Sequence, residues 1–190
     1  MERLNVGCGR SPLSGWINLD SVAFPGVDVV ADLEMCATIP LPLRTNSVGE
    51  FLLSHVLEHV RQPLPMMSEL WRIAAPNAKM IVRVPYGSSD DAFEDPTHVR
   101  QIFVNSFGFF SQPYYWRADY GYRGDWQSER ITLLVEKSAH KGLSVPQLEE
   151  RIATLRNTVR EMVAELRCIK PPREPLRELQ TPPAIEIQLI

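Results

Sequence analysis

The sequence predicts an α/β protein in which a largely parallel β-sheet is followed by a separate helix. Up to residue 137, short apolar runs alternate with turn signals, as they do in βαβ domains. Beyond that point apolar residues recur at helical spacing, and the last part of the chain is rich in proline. The 190 residues are therefore expected to form a domain at 1–138, a helix at 144–169 and an extended tail at 170–190.

The individual elements follow from these runs in chain order. Strands are predicted at 4–6, 16–19, 27–31, 50–54, 80–84 and 131–135. A helix is predicted over 63–75, because Leu64, Met67 and Leu70 share one face and Pro63 is tolerated in a first turn. A second helix is expected within 97–110. The aromatic stretch 114–126 is expected to return like a hairpin into the last strand, which places an antiparallel strand at one edge of the sheet.

The C-terminal helix has apolar residues spaced alternately three and four apart, the period of a coiled coil. These residues are Val145, Leu148, Ile152, Leu155, Val159, Met162, Leu166 and Ile169. The pattern predicts a homo-oligomer formed through residues 145–169, and the β-branched and leucine positions favour a dimer over a trimer. The alternative is an amphipathic helix that packs on its own domain. In the tail, residues 184–190 alternate apolar and polar side chains and are able to add a strand to a sheet edge, or to remain loose.

Composition limits the classes of partner and compartment. A formal net charge of −3 gives no overall field that attracts nucleic acid. Three cysteines without a CxxC pair predict neither a disulfide framework nor a zinc site, which fits the cytoplasm. No apolar run approaches the roughly 20 residues that span a bilayer.

Polar or glycine residues follow each of the first three strands. Gly7 and Gly9 form a turn that lets a ligand approach the backbone. Asp20 ends the second strand, where a carboxylate is able to accept both hydroxyls of a ribose. Asp32 ends the third strand and is expected to accept the exocyclic amine of an adenine, with Leu33 packed on the ring.

Six segments resemble, in order and spacing, the motifs of small class I S-adenosylmethionine (SAM)-dependent methyltransferases, and especially a compact branch found among glycan and natural-product genes. The segments are Leu4-Asn5-Val6-Gly7-Cys8-Gly9, Gly15-Trp16-Ile17-Asn18-Leu19-Asp20, Ala31-Asp32-Leu33, Ser54-His55-Val56-Leu57-Glu58-His59-Val60, Glu69-Leu70-Trp71-Arg72 and Val82-Arg83-Val84-Pro85. The resemblance covers about residues 3–137. It implies a Rossmann-like class I methyltransferase sheet with SAM as the cofactor.

The resemblance also implies roles for individual residues. Gly7 and Gly9 line the methionine part of SAM, Asp20 holds the ribose, Asp32 holds the adenine, and His55 borders the methyl group. The full set of expected cofactor-binding residues is Asn5, Gly7, Cys8, Gly9, Asp20, Asp32, Leu33 and His55.

This sequence also departs from the family pattern. Asn5 replaces the usual acid before the glycines, which is also the case in the compact branch. The interval from Gly9 to Asp20 is too short for a full helix, so the first helix must be reduced to a turn. One face of the sheet is then expected to be poorly covered.

The candidate catalytic residues lie in the loop after the fifth strand. His98 is the candidate base, with Asp95 as the carboxylate that holds it and His55 as a second residue that assists deprotonation. The alternative is that Asp95 or Thr97 simply caps the helix that follows. Aromatic residues are able to wall an acceptor pocket or to serve as packing: Tyr86, Tyr114, Tyr115, Trp116, Tyr120, Tyr122 and Trp126.

The segment His55 to His59 also matches the H-x-x-E-H zinc signature, which requires a long helix. Here the segment follows a strand directly and Pro63 comes soon after, so no metal is expected. The predicted function is methyl transfer from SAM to an O or N atom of a small-molecule or glycan-like acceptor. The alternative is an inactive methyltransferase-like scaffold that acts through its coiled coil and tail. A dinucleotide-dependent oxidoreductase is disfavoured, because the glycine turn is too short for G-x-G-x-x-G.

Overall fold

An eight-stranded sheet forms the centre of the structure, a computed structural model that describes residues 1–137 and 141–190. The strands are β1 Glu2–Val6, β2 Ile17–Asp20, β3 Val29–Val30, β4 Val48–Ser54, β5 Ala74–Pro85, β6 Trp126–Val135, β7 Glu161–Cys168 and β8 Ala184–Leu189. Their order across the sheet is β3-β2-β1-β4-β5-β7-β6-β8.

The strands β1 to β5 are all parallel, as the apolar runs predict. β1 lies between β2 and β4, and β5 continues the parallel set beyond β4. The chain passes from β1 to β2 through turns at residues 7–16, which confirms that the first helix is reduced. The carboxyl ends of β1, β2 and β4 therefore meet at the same edge of the sheet.

The antiparallel strand lies inside the sheet, so the prediction of an edge position is wrong. β7 pairs antiparallel with β5 on one side and with β6 on the other. β6 is therefore parallel to β5, and its outer edge pairs with β8.

The coiled coil predicted over 144–169 is wrong. Residues Val145–Thr154 form helix α3, but Glu161–Cys168 form the interior strand β7. Asn157, at φ +57°, adopts a left-handed conformation between them and separates helix from strand. In β7 the even-numbered side chains are buried and the odd-numbered ones are half-buried, which is the two-residue period of a strand.

This correction also changes the domain division and removes the basis of the predicted oligomer. The sheet needs β7 from the segment that was assigned to a separate helix, so the core extends well past residue 138, which itself lies outside the described residues. Helix α3 buries Leu148 on the main core and partly buries Ile152 there. Helix α3 thus corresponds to the alternative, an amphipathic helix that packs on its own domain.

The remaining helices are short. They are α1 Pro63–Ile73, α2 Asp91–Glu94 and 3₁₀ helices at Leu33–Ala37, Val104–Phe110, Gln112–Tyr115 and Arg177–Leu179. Helix α1 confirms the prediction over 63–75 to within two residues and buries Met66, Met67, Leu70 and Ile73 on one face of the sheet. The segment 97–110 forms a helix only from Val104, and 114–126 forms no hairpin, because a 3₁₀ turn and a loop lead into β6.

The second face of the sheet is largely open, as the missing first helix predicts. On β5 the side chains of Lys79, Ile81 and Arg83 are exposed, whereas their even-numbered neighbours are buried. Ion pairs cross between strands on this face and join Arg83 to Glu161 and Arg130 to Glu165. A charged, paired surface of this kind is compatible with water.

The tail is fastened to the sheet. Arg173 binds both oxygens of the fully buried Asp125 at 2.8–2.9 Å and also reaches Gln127 at 2.6 Å. From there the chain runs to β8, which pairs with β6. Within the described ranges, no helix has the length and apolar character needed to traverse a lipid bilayer.

Candidate functional site

A cleft of about 290 Å³ lies at the carboxyl ends of β1, β2 and β4. Five residues predicted to bind the cofactor line it: Gly7, Asp20, Asp32, Leu33 and His55. Ser21, Glu34, Val56, His59 and Val60 also contribute to its wall. The two aspartates, which are twelve positions apart in sequence, thus border one hollow.

The glycine turn has the left-handed backbone conformation that two glycines favour. Gly7 and Gly9 have φ of +63° and +53°, a region that residues with a Cβ rarely adopt. A Cβ on Gly7 would lie 2.6 Å from Cγ2 of Val56, so the turn and the segment after β4 approach each other more closely than a side chain allows. Gly7 therefore forms part of the cleft wall through its backbone.

Asp20 is positioned by two backbone donors. Its Oδ2 accepts a hydrogen bond from Gly9 N at 2.7 Å, and its Oδ1 accepts one from Val22 N at 3.0 Å. Each carboxylate oxygen retains acceptor capacity after these bonds. The side chain is thus fixed at the rim of the glycine turn and is still able to accept from a ligand.

Asp32 begins the 3₁₀ helix Leu33–Ala37 as its N-cap, and its Oδ1 accepts from Glu34 N at 2.9 Å. This bond leaves Oδ2 available to the cleft. Leu33 lines the cleft beside it and also packs partly on the core. The pair has the composition predicted for an adenine site, an acceptor next to an apolar surface.

Three predicted cofactor residues are not part of the cleft wall: Gly9, whose N–H donates to Asp20, and Asn5 and Cys8, which lie behind the turn. Asn5 is buried and its amide donates to Asn18 Oδ1 at 3.0 Å and to the Ser11 carbonyl at 3.3 Å. Cys8 is buried, and desolvation raises the pKa of its thiol. Both residues support the loop between β1 and β2.

His55 lies at the end of β4 with φ +56°, a strained backbone conformation for a residue that has a Cβ. Its Nδ1 is 3.3 Å from Glu58 Oε1 and its Nε2 is 3.1 Å from Glu161 Oε1. The contact with the Glu58 carboxylate is the largest of the effects that raise the pKa of His55. The imidazole is thus held between two carboxylates at the mouth of the cleft.

His98 is placed differently from the prediction of an Asp–His pair. Its Nε2 lies 3.8 Å from Asp95 Oδ2, which is too long for a hydrogen bond. Asp95 instead accepts from the amide and the hydroxyl of Thr97, at 2.8 and 2.6 Å, and these bonds lower the pKa of its carboxyl group. The His98 ring packs edge-on against His59, with ring centroids 4.7 Å apart.

The loop that carries His98 is fastened to the segment that carries His59. Val99 N donates to the Glu58 carbonyl at 2.9 Å, and the Arg100 guanidinium donates to the carbonyls of Val60 and Arg61. Residues forty positions apart are therefore neighbours. Glu58 is 2% exposed within this cluster.

The aromatic residues divide between packing and a second cavity. Tyr122 and Trp126 are buried in the core, which fits the packing alternative. Tyr115 and Tyr120 line an apolar cavity of about 530 Å³ on the other side of the Leu57 segment, together with Phe103. Burial raises the pKa of Tyr115 to about 12.

Sequence reasoning missed two acidic residues at this site. Glu161 was placed in a helix, whereas it begins β7 and contacts His55. Glu58 was considered as part of a methyltransferase motif and of a zinc signature, but without a contact to His55. From 161 to 168 the even-numbered residues are apolar and three of the four odd-numbered residues are charged, which is the signal for the strand that carries Glu161.

The sequence matches no protein-family model and no curated protein. Its fold is similar to that of solved methyltransferase structures. A SAM-dependent methyltransferase from Archaeoglobus fulgidus has a TM-score of 0.61 and 16% identity over 87% of this chain and 86% of that chain. A SAM-dependent methyltransferase from Thermotoga maritima, described as a possible histamine N-methyltransferase, has a TM-score of 0.56 and 15% identity over 89% and 82% of the two chains.

A structure of another activity also shares the fold. The [4+2]-cyclase SpnF has a TM-score of 0.53 and 12% identity over 88% of this chain and 75% of that one. The chain therefore has a Rossmann-like methyltransferase sheet, a fold that also supports chemistry other than methyl transfer.

Proposed function

We propose that the protein is a SAM-dependent methyltransferase that transfers a methyl group to an O or N atom of a small-molecule or glycan-like acceptor. One observation carries the proposal: Gly7, Asp20, Asp32 and His55 border a single cleft at the carboxyl ends of parallel strands. In open α/β sheets this edge is where ligands bind. Similarity to methyltransferase structures supports the assignment.

Each part of SAM has a suitable residue in the cleft. Asp20 accepts the two ribose hydroxyls while Gly9 N and Val22 N hold its carboxylate in place. Asp32 accepts the exocyclic amine of the adenine, and Leu33 packs on the ring. The methionine part lies along the glycine turn, where no side chain intervenes at Gly7.

Methyl transfer makes few demands on protein chemistry beyond positioning. The acceptor atom must approach the methyl carbon in line with the bond to sulfur, which a rigid cleft provides by fixing both partners. His55 lies at the mouth of the cleft and is the group placed to order the acceptor or take its proton. His98 is shielded behind His59, so a direct role as base fits the geometry less well.

The alternative of an inactive scaffold depended on the predicted coiled coil. That support is lost, because part of the segment predicted as an association helix forms strand β7 of the sheet. All three cysteines are free thiols, which fits a cytoplasmic location.

Isothermal titration with SAM tests the proposal. We expect the intact protein to bind SAM, and Asp20→Asn and Asp32→Asn to bind it roughly tenfold to a hundredfold more weakly, because each loses hydrogen bonds to a charged acceptor worth about 1.5–3 kcal/mol. Asp119→Asn is the matched control, since Asp119 is exposed and pairs with Arg123 outside the cleft. A protein that is folded by circular dichroism but does not bind SAM would refute the cofactor assignment, as would an equal loss in the control.

A further inference from the structure

Three side chains meet beside the cofactor cleft in an arrangement suited to a metal ion. Glu58, His59 and His98 each offer one ligand atom, and these atoms all lie within 4.8 Å of one another. Glu58 is 2% exposed, yet neither of its carboxylate oxygens makes a hydrogen bond of good geometry. Oε1 has the His55 Nδ1 contact at 3.3 Å, whereas Oε2 has no partner in the described residues. A buried carboxylate is costly unless it is fully paired or binds a metal, so Oε2 is the oxygen that a cation would satisfy.

His98 supplies a second buried atom without a partner. Its Nδ1 makes no hydrogen bond and is shielded from solvent. Its Nε2 lies 3.8 Å from Asp95 Oδ2, so the nearby negative charge favours the proton of a neutral ring on Nε2. A neutral imidazole carries one N–H, so this tautomer leaves the lone pair on the buried Nδ1.

The tautomer of His59 follows from its neighbours. Thr97 Oγ1 lies 2.6 Å from Asp95 Oδ1 and 2.9 Å from His59 Nδ1. A hydroxyl has one proton, and an ionised carboxylate only accepts, so Thr97 donates to Asp95 and must accept from His59 Nδ1–H. The free lone pair of His59 is therefore on Nε2. Metal-binding histidines are typically held in this way, by a partner on the second ring nitrogen.

We infer that Glu58, His59 and His98 bind a divalent transition-metal cation, with Thr97, itself held by Asp95, orienting the imidazole of His59. Two imidazoles and one carboxylate favour zinc, iron, cobalt, nickel or manganese over magnesium and calcium, which prefer oxygen ligands throughout. Ligand atoms about 2.0–2.2 Å from such an ion lie closer together than 4.8 Å, so small side-chain rotations complete the site.

The site is open toward the cofactor. His59 lines the cleft, and three protein ligands leave coordination positions for other groups. If the proposed function holds, a hydroxyl oxygen of the acceptor occupies one of these positions, and the cation lowers its pKa. The hydroxyl proton passes to water, a C–O bond forms as the bond from methyl carbon to sulfur breaks, and the electron pair remains on sulfur.

Titration of the chelator-treated full chain with Co²⁺ alone, followed by visible absorption, tests the site. We expect one Co²⁺ per chain, bound at least about tenfold more weakly by Glu58→Gln and by His98→Ala. Thr97→Val is expected to weaken binding roughly tenfold to a hundredfold, because it removes the partner that fixes His59. Glu94→Gln is the matched control, since Glu94 is an exposed carboxylate four residues before His98.

Failure of the wild-type chain to bind Co²⁺ more tightly than Glu58→Gln overturns the inference, as does an equal loss in Glu94→Gln. Water-proton relaxation with Mn²⁺ tests whether the site is open, because exchangeable water on the bound ion enhances relaxation and a fully enclosed ion does not. Titration of Glu58→Gln with SAM separates this inference from the proposed function. Retained SAM binding with lost Co²⁺ binding is the expected result, whereas loss of both with an unchanged unfolding midpoint contradicts a separate cation site.

Discussion

Gly7 and Gly9 share a backbone conformation but differ in their surroundings. Both have positive φ, so alanine is strained at either position by about 1–2 kcal/mol. Only at Gly7 would the new Cβ meet another group, Val56 at 2.6 Å, whereas at Gly9 nothing lies within 4 Å. The two positions therefore separate backbone strain from steric contact.

We expect Gly7→Ala to lower the free energy of unfolding by about 1–3 kcal/mol more than Gly9→Ala, because it adds the cost of overpacking. Urea denaturation followed by circular dichroism measures the difference. Adding Val56→Ala should couple favourably to Gly7→Ala and not to Gly9→Ala. Equal losses in the two single variants would show that the contact with Val56 is unimportant.

At the scale of secondary structure, β5 has one buried side and one open side. Val82 is fully buried in the core, whereas Ile81 is 44% exposed on the uncovered face. Threonine keeps the β-branched shape at both positions, so strand propensity changes little. The comparison therefore reports on burial alone.

Val82→Thr is expected to cost about 1–3 kcal/mol, because it buries a hydroxyl without a partner. Ile81→Thr should change stability by less than about 0.5 kcal/mol, since the face already contacts water. The unfolding midpoints in urea provide the measurement. A large cost at Ile81 would mean that another molecule or segment covers this face in solution.

The same elements explain which parts of the fold could be predicted. The runs at 4–6, 50–54 and 80–84 are apolar and bounded by turns, so local pattern and final structure agree. Residues 145–168 misled the prediction, because Val145, Leu148 and Ile152 belong to a helix while Met162 and Leu166 belong to a strand. Their joint spacing matches a heptad only by coincidence.

The candidate site was predictable where it depends on strand ends. Asp20 and Asp32 each follow a strand, and parallel topology alone brings such positions to one edge. The cluster around Glu58 depends instead on how the loop containing His98 folds back, which is fixed by backbone bonds such as Val99 N to the Glu58 carbonyl. Local pattern contains no signal for a contact of that kind.

For the whole molecule, the position of β7 determines where the chain can be cut. A fragment of residues 1–138 would leave β5 and β6 without the strand that joins them, whereas residues 1–182 lack only the edge strand β8. Loss of an interior strand leaves the backbone N–H and C=O groups of two neighbouring strands without partners. Loss of an edge strand affects only one neighbouring strand, so it costs far less.

We expect residues 1–138 to show no cooperative unfolding transition and residues 1–182 to unfold cooperatively at a lower urea midpoint than the full chain. Circular dichroism across a urea gradient distinguishes the two outcomes. A cooperative transition in the shorter fragment would mean that the first 138 residues form a domain of their own.

The place of β7 in the sheet also has a consequence for biosynthesis. β5 ends at Pro85 and its neighbour begins at Glu161, so residues 86–160 must be translated before the two strands meet. At about 5–20 residues per second this interval lasts roughly 4–15 seconds, during which the nascent polypeptide displays an unsatisfied strand edge. Ribosome-associated chaperones act on surfaces of this kind, and the yield of native protein in cells should therefore respond to the speed of elongation through that interval.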